Sequence, residues 1–329
     1  MIRKVLLTSA LFIMPCNFAA ARNIVISNDD GLTSNAVALY KALKRQGHDV
    51  IVSVPCRNQS GMGTALEIFR PLSPIKADCR SDAARAGSAG AGAMSRQGLP
   101  LRDFFYVDST PGMALLYGLD VVAQRRWGRP PDLVLSGPNE GQNVGRMTIG
   151  SGTVSIVQYA ALRGIPAIAL SAGVNSVDDR NLDNPVSAAV ADRAVELLAQ
   201  LERKSQGGAI LPIGLVLNVN FPDDVSKAKW RVTRIGSYSG YNIRFAENPS
   251  ASASPGEAKL AREVGIALPA LPGILLSMNE EGAGAGEEQD EGVADKSDIA
   301  VTPMQAGYEA GQGSAALVSW LLGDTLLER

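Results

Sequence analysis

A doubly wound α/β fold, built on a mostly parallel sheet with a smaller β-rich C-terminal extension, is what this sequence predicts. Two patterns lead there. Short apolar runs alternate with amphipathic stretches through the first two thirds of the chain, and after about residue 210 the alternation gives way to β-rich segments. Alternation of this kind places parallel strands beneath helices on both faces. The chain has 329 residues, 46% hydrophobic and 19% charged, with a formal net charge of −2. That suits one large globular domain or two modest ones. No basic surplus points to nucleic acid as a partner, and no block of like charge forms a tail.

The first 21 residues stand apart. Arg3 and Lys4 precede the apolar run VLLTSALFIM, and Ala19 and Ala21 make a small-x-small exit. Together they read as a secretory signal peptide cleaved near Ala21, so a periplasmic or secreted location is expected. The alternative is a start codon misplaced upstream of a cytosolic enzyme. The run is shorter than the roughly 20 apolar residues of a spanning helix. Cys16 follows a proline instead of the small residues of a lipoprotein signal, so no membrane anchor is expected.

Residues 22–210 carry the alternation. NIVISNDDG is a strand, SNAVALYKALKRQG a helix ending at Gly47, and DVIVSVP the next strand. DSTPGMALLYGLDVVAQR reads as a loop opening a helix, with Pro111 suited to the first turn. PDLVLSGPNEG is a third strand and loop, SGTVSIVQYAALRG a helix, IPAIALS a fourth strand, and DNPVSAAVADRAVELLAQLERK a long amphipathic helix. Within 211–310, LVLNVNFP, KWRVTRIG and SDIAVTPM read as antiparallel β pieces. Residues 311–329 read as an apolar-faced helix packing back on the core. Three Gly-, Ala-, Ser- and Glu-rich segments (83–98, 247–260 and 279–292) look too poor in apolar side chains to order well, and are expected as surface insertions.

Four loops after strands hold the unusual residues: SNDDG (27–31), RNQSG (57–61), SGPNEG (136–141) and GSGTV (150–154). In an open parallel sheet such loops converge beyond the carboxyl ends of the strands. They bring Asp29, Asp30, Ser60 and Asn139, an all-oxygen set suited to a hard cation such as Mg²⁺ or Mn²⁺. Gly150, Ser151, Gly152 and Thr153 open a helix, where free N–H groups favour phosphate. Taken singly, an Asp pair is an ordinary solvated turn and an SGT an ordinary N-cap. The convergence of four loops is what suggests phosphate chemistry.

Absences narrow the class. His48 is the only histidine, so a histidine phosphatase or a His-rich binuclear metallophosphatase is excluded. It sits in a helix-to-strand turn and is expected to be structural or solvated. No GxxxxGK(S/T) loop is present, which argues against a P-loop NTPase. Once the signal is removed, Cys56 and Cys79 remain, a candidate disulfide in an oxidising compartment, the alternative being two separate buried thiols. A bridge would close a loop of roughly two dozen residues, worth about 3 kcal/mol in the chain-entropy description.

NIVISNDDG, PCRNQSG, PDLVLSGPNEGQNVG, SGTV, GIPAIALS and LNVNFP closely resemble the motifs of the SurE survival-protein family, over roughly residues 23–222, with a remnant in SDIAVTPM. The resemblance implies a Rossmann-like domain whose β-rich extension joins homodimers or homotetramers. It also implies a metal-dependent nucleoside monophosphate phosphatase (a 5′- and 3′-nucleotidase), with one divalent cation per subunit. Carried over by position, Asp29, Asp30, Ser60 and Asn139 match the family's metal ligands, with Asp29 or Asp30 as general base. Asn143, Ser151, Gly152 and Thr153 match positions lining its phosphate pocket, and Asn58, in the same loop as Ser60, is expected to bind substrate beside them. The chain departs from the family at Cys56, where an aspartate is common, at Pro138 and Gly150, and in the stretch Ser109–Ala114. These departures alter the substrate walls, so a broad-specificity periplasmic acid phosphatase, or an inactive metal- and phosphate-binding relative, is the alternative.

Overall fold

A computed structural model describes residues 21–178, 180–263, 265–310 and 312–327. The signal-peptide expectation falls, but for Ala21, outside the described residues. Eleven strands are described: β1 (Asn23–Ser27), β2 (Asp49–Pro55), β3 (Ala91–Ala93), β4 (Phe104–Val107), β5 (Leu133–Glu140), β6 (Ala167–Ala172), β7 (Leu215–Asn220), β8 (Trp230–Val232), β9 (Tyr241–Ala246), β10 (Gly273–Met278) and β11 (Ile299–Gln305). Nine of them form one sheet in the order β3-β4-β2-β1-β5-β6-β7-β11-β8. The run from β4 to β7 is parallel throughout. The chain leaves β1 toward one edge and returns to β5 on the other side, so the strand order reverses between them. The crevice beyond the ends of β1 and β5 is where such sheets take ligands.

The central strands are apolar on both faces because helices cover both. On one face Ile24, Ile26 and Val52 join Leu39 and Leu43 of the helix Ser34–Arg45, and Val190, Ala194 and Leu198 of the helix Pro185–Ser205. On the other, Val25, Ile51 and Val134 meet Leu115 and Leu119, and Ile156 and Ala160 of the helix Gly152–Leu162. Side-chain caps begin these helices: Thr33 accepts from Ala36 N–H, Ser151 from Val154 N–H and Asn184 from Val186 N–H.

Several expectations need correction. FFYV forms β4, a strand the sequence pattern did not suggest, and β3 of the supposed insertion 83–98 pairs antiparallel with it. Ala83, Ala84 and Met94 of that segment are buried, because the edge of the sheet supplies the apolar contacts its own composition lacks. Asp290 and Glu291, in the third supposed insertion, are fully buried. The region 211–310 is β-rich, but its pieces are not all antiparallel. β7 is parallel to β6, and β8 is parallel to β11. In this region, among the described residues, only β11 on β7 and the ribbon β9–β10 are antiparallel. The helix Gln312–Leu327 forms, but Leu317, Trp320 and Leu321 stand exposed, not packed on the core. It is apolar nearly all round, so no single stripe directs one face inward.

Cys56 and Cys79 form a disulfide across a separation of 23 residues. His48 is buried, its Nδ1 accepting the Arg22 N–H at 3.2 Å, and burial lowers its pKa. Among the described residues no helix is long and apolar enough to cross a membrane.

Candidate active site

β1 ends in a tight turn. Asn28 Nδ2 donates to Gly31 O at 2.8 Å, and Gly31 N–H donates back to Asn28 Oδ1 at 3.0 Å. The turn aims both following carboxylates inward, leaving Asp29 and Asp30 only 3% and 2% exposed. Adjacent acids at a strand end are usually solvated, and these are not.

Asp29 faces the start of the helix Gly152–Leu162. Thr153 Oγ1 donates to Asp29 Oδ1 at 2.6 Å. The main-chain N–H groups of Gly152 and Thr153 also favour its ionised form, though burial prevails and its pKa lies above the ordinary carboxylate value. The closeness explains the glycine: a Cβ on Gly152 would lie 2.6 Å from Asp29 Cβ. The helix start that the sequence assigned to phosphate is thus turned toward Asp29.

Asn139 completes this side. Its Nδ2 donates to Gly141 O at 2.7 Å, which turns Oδ1 toward Thr153 Oγ1, 3.0 Å away. One hydroxyl hydrogen serves one acceptor, and the shorter contact is to Asp29, so the Asn139 carbonyl oxygen is left free to accept. A break in register between β5 and β6 from Ser136 to Asn139 re-aims this residue. Gly137, at φ +100° with a notional Cβ 2.2 Å from Leu170 O, makes the bulge possible.

Asp30 lies on the other side. Its Oδ2 accepts Glu140 N–H at 3.1 Å and its Oδ1 accepts from Asn58 Nδ2 at 3.2 Å. Burial, then the neighbouring Asp29 and Glu140 carboxylates, push its pKa well up, against the pull of the Glu140 N–H and of Arg80. Arg80 pairs with Glu140 at 2.8 Å and donates to Asp30 O at 3.0 Å.

The profile of the survival protein SurE family matches residues 24–241. This chain belongs to the SurE family. It is 30% identical over 303 residues to a protein described as 5′/3′-nucleotidase SurE from Edwardsiella ictaluri, covering 91% of this chain and 95% of that one. It is 34% identical over 208 residues to an acid phosphatase of Yarrowia lipolytica, covering 60% of this chain and 56% of that one. The crystal structure of the SurE protein from Aquifex aeolicus superposes with a TM-score of 0.62 at 27% identity, over 92% of this chain and all of that one.

Of the residues that SurE motifs single out, the fold brings Asp29, Asp30, Asn58, Asn139, Gly152 and Thr153 together. Ser60 is exposed on the same loop as Asn58 and donates its N–H to Asn58 Oδ1 at 2.8 Å, which puts it at the rim. Ser151 is the helix cap. Asn143 sits further out, its N–H on Asn220 Oδ1 at 2.8 Å and its Nδ2 on Ser171 Oγ at 3.0 Å. Arg80, and Glu140 within SGPNEG, carry no motif that marks them in the sequence. The adjacency of Arg80 to Cys79 was the available signal, since a Cys56–Cys79 bridge brings it beside the RNQSG loop. Among the described residues no three His, Cys, Asp or Glu side chains cluster as a metal site. The fit to a hard cation rests instead on two buried carboxylates with raised pKa and one accepting carboxamide oxygen.

Proposed function

We propose that this SurE chain is a divalent-metal-dependent phosphomonoesterase that hydrolyses nucleoside monophosphates, 5′- and also 3′-nucleotides, to nucleoside and phosphate. The observation that carries this is the buried Asp29–Asp30 pair at the crevice between β1 and β5, with the Thr153 hydroxyl lying between Asp29 and the Asn139 carbonyl oxygen. The nucleotidase named among its relatives supports the substrate class.

Asp29, Asp30 and Asn139, with Ser60 from the rim, would hold Mg²⁺ or Mn²⁺. When bound, the ion supplies charge for a phosphoryl oxygen and acidifies water. The chain's own contribution is positional. The Thr153 hydroxyl and the Gly152 and Thr153 N–H groups fix Asp29, so its carboxylate acts as a rigid ligand. Asp30 is held by longer contacts, its Oδ1 3.2 Å from Asn58 Nδ2, which supports it over Asp29 as the group that would take the proton of an attacking water. Asn58, close to the exposed rim, and Asn143, pinned by Asn220 and Ser171, line the approach of the phosphate. Such positioning and charge neutralisation dominate phosphoryl transfer.

A broader acid phosphatase is the second reading, supported by the Yarrowia relative and by the Pro138 bulge in the wall. The Cys56–Cys79 bridge supports an oxidising, extracytoplasmic location. The exposed apolar side chains of the helix Gln312–Leu327 support a homodimer or homotetramer. The deciding experiment measures phosphate release from a panel of nucleoside monophosphates and an aryl phosphate, after chelation and after return of Mn²⁺ or Mg²⁺. Turnover of nucleotides that disappears with EDTA and returns with the ion is expected. Undiminished release in EDTA, or none from any ester, would contradict the proposal. Preference for the aryl ester would favour the second reading.

A further inference from the structure

Arg80 joins the disulfide to the acid pair. Its main-chain N–H donates to Cys56 O at 2.8 Å, its Nη1 to Asp30 O at 3.0 Å, and its Nη2 pairs with Glu140 Oε2 at 2.8 Å. Glu140 in turn gives its own N–H to the Asp30 carboxylate. The ion pair is largely withdrawn from solvent, with side-chain exposures of 16% and 9%. Removing Arg80 would take away a positive charge that Glu140 faces beside two other carboxylates.

The segment that presents Arg80 is unusual. Ser81 and Asp82 both hold a φ of +53°, left-handed backbone that side-chain-bearing residues seldom adopt. Such backbone persists where its surroundings over-determine it. Here those surroundings are the Cys56–Cys79 bond on one side, Cys79 N–H on Ala84 O at 2.9 Å, and Ser81 Oγ on Leu32 O at 2.9 Å. The bond ties Cys79, the residue before Arg80, to Cys56 at the start of the RNQSG loop.

We propose that the Cys56–Cys79 bridge serves the active site by fixing Arg80 as a positioning residue, which matches the charge of Glu140 and holds the Asp30 main chain. With Arg80 in place, a cation meets the Asp29–Asp30 pair as its charged ligands. Without it, Glu140 becomes a third competing carboxylate, which draws the cation toward itself and away from the geometry that turnover needs.

The test compares Arg80→Met, Arg80→Lys and Arg80→Met/Glu140→Gln with the parent, by Mn²⁺ calorimetry of the chelated protein and by steady-state kinetics. Arg80→Met is expected to bind Mn²⁺ on the order of threefold to tenfold more tightly, as one positive charge is lost beside the site, while kcat falls roughly tenfold or more. Arg80→Lys should lie between, because an ammonium keeps the charge but lacks the planar fork that spans the Asp30 carbonyl and Glu140. Adding Glu140→Gln should return both quantities toward the parent. A Cys56→Ser/Cys79→Ser variant, shown folded by circular dichroism, should shift both in the same sense as Arg80→Met. Weakened Mn²⁺ binding in Arg80→Met that Glu140→Gln does not relieve would mean a merely structural role and overturn the proposal. Unchanged values in Arg80→Met would overturn it too, and parent values in the double-serine variant would remove the bridge from it. The kinetic arm rests on the phosphatase reading; the calorimetric arm does not, so a parent that turns over nothing fails that reading while the Mn²⁺ shift still decides this one.

Discussion

Two adjacent acid pairs are buried among the described residues, and Asp30 of one and Asp290 of the other are held in opposite ways. Asp290 and Glu291 are fully enclosed near β11, and Asp29 and Asp30 are nearly so at the end of β1. Asp290 accepts from Arg234 Nε at 2.7 Å and from the N–H groups of Ser237 and Tyr238 at 2.8 and 3.0 Å. Burial pushes its pKa up, but the Tyr238 N–H, Arg234 and the Ser237 N–H outweigh it, and its pKa lies below the ordinary value. At Asp30 the balance runs the other way, and carboxylate neighbours add to burial. A buried carboxylate whose charge the fold already matches holds structure together. One whose charge the fold leaves in excess needs a proton or a cation.

The comparison breaks most easily at Asp30. Asp30→Asn is expected to lower kcat by roughly a thousandfold, the scale of losing one electrostatic element of a catalytic site, with little change in thermal stability. Phosphate release and a melting curve on one preparation check both halves. Asp290→Ala should do the reverse, costing about 2 kcal/mol by stranding the buried Tyr238 N–H and removing the partner of Arg234 and of the Ser237 N–H, while Mn²⁺ affinity stays at the parent value. Urea unfolding beside calorimetry reads this directly. Gly152→Ala tests the close approach at Asp29. A methyl 2.6 Å from Asp29 Cβ must displace the carboxylate, so kcat should drop on the order of tenfold to a hundredfold, as for other small misplacements of catalytic groups.

The smallest effect concerns Glu291, whose pKa burial raises to about 7 despite its contacts with Thr302, Gly145 N–H and Asn218. A raised carboxyl binds its proton more tightly folded than unfolded. The stability it contributes is therefore full below its ordinary pKa and is lost as pH rises through about 7. Asp295, raised to about 6 chiefly by burial, acts in the same sense. Melting temperature should fall modestly between pH 5 and pH 8, and Glu291→Gln should flatten that slope. A slope unchanged by the substitution would remove Glu291 from this account.

The sequence pattern made one of the two pairs legible and hid the other. Asp29 and Asp30 follow an apolar strand and precede a glycine, so position alone drew attention to them. Asn139 and Thr153 could be read the same way, one near the end of a strand and the other at a helix start. Asp290 and Glu291 lie in NEEGAGAGEEQDEG, whose composition suggests an unpacked loop. Their burial depends on Arg234, Tyr238, Asn218 and Gly145, which come from elsewhere in the chain. β4 was missed because four apolar residues between loops carry too little periodicity to separate a strand from a turn. Arg80 was missed because its meaning depends on where the disulfide carries it. The helix Gln312–Leu327 was legible as a helix, yet an even spread of apolar residues gave no indication of which surface it would cover.

The most direct test of the difference between the two acid pairs is a calorimetric titration of the chelated protein with Mn²⁺, run on the parent, on Asp29→Asn and on Asp290→Asn. One ion bound per chain in the parent and in Asp290→Asn, with binding lost in Asp29→Asn, is the expected result. Equal Mn²⁺ affinity in the parent and in Asp29→Asn would show that the excess charge at the end of β1 is not a cation site, and the account would fail there.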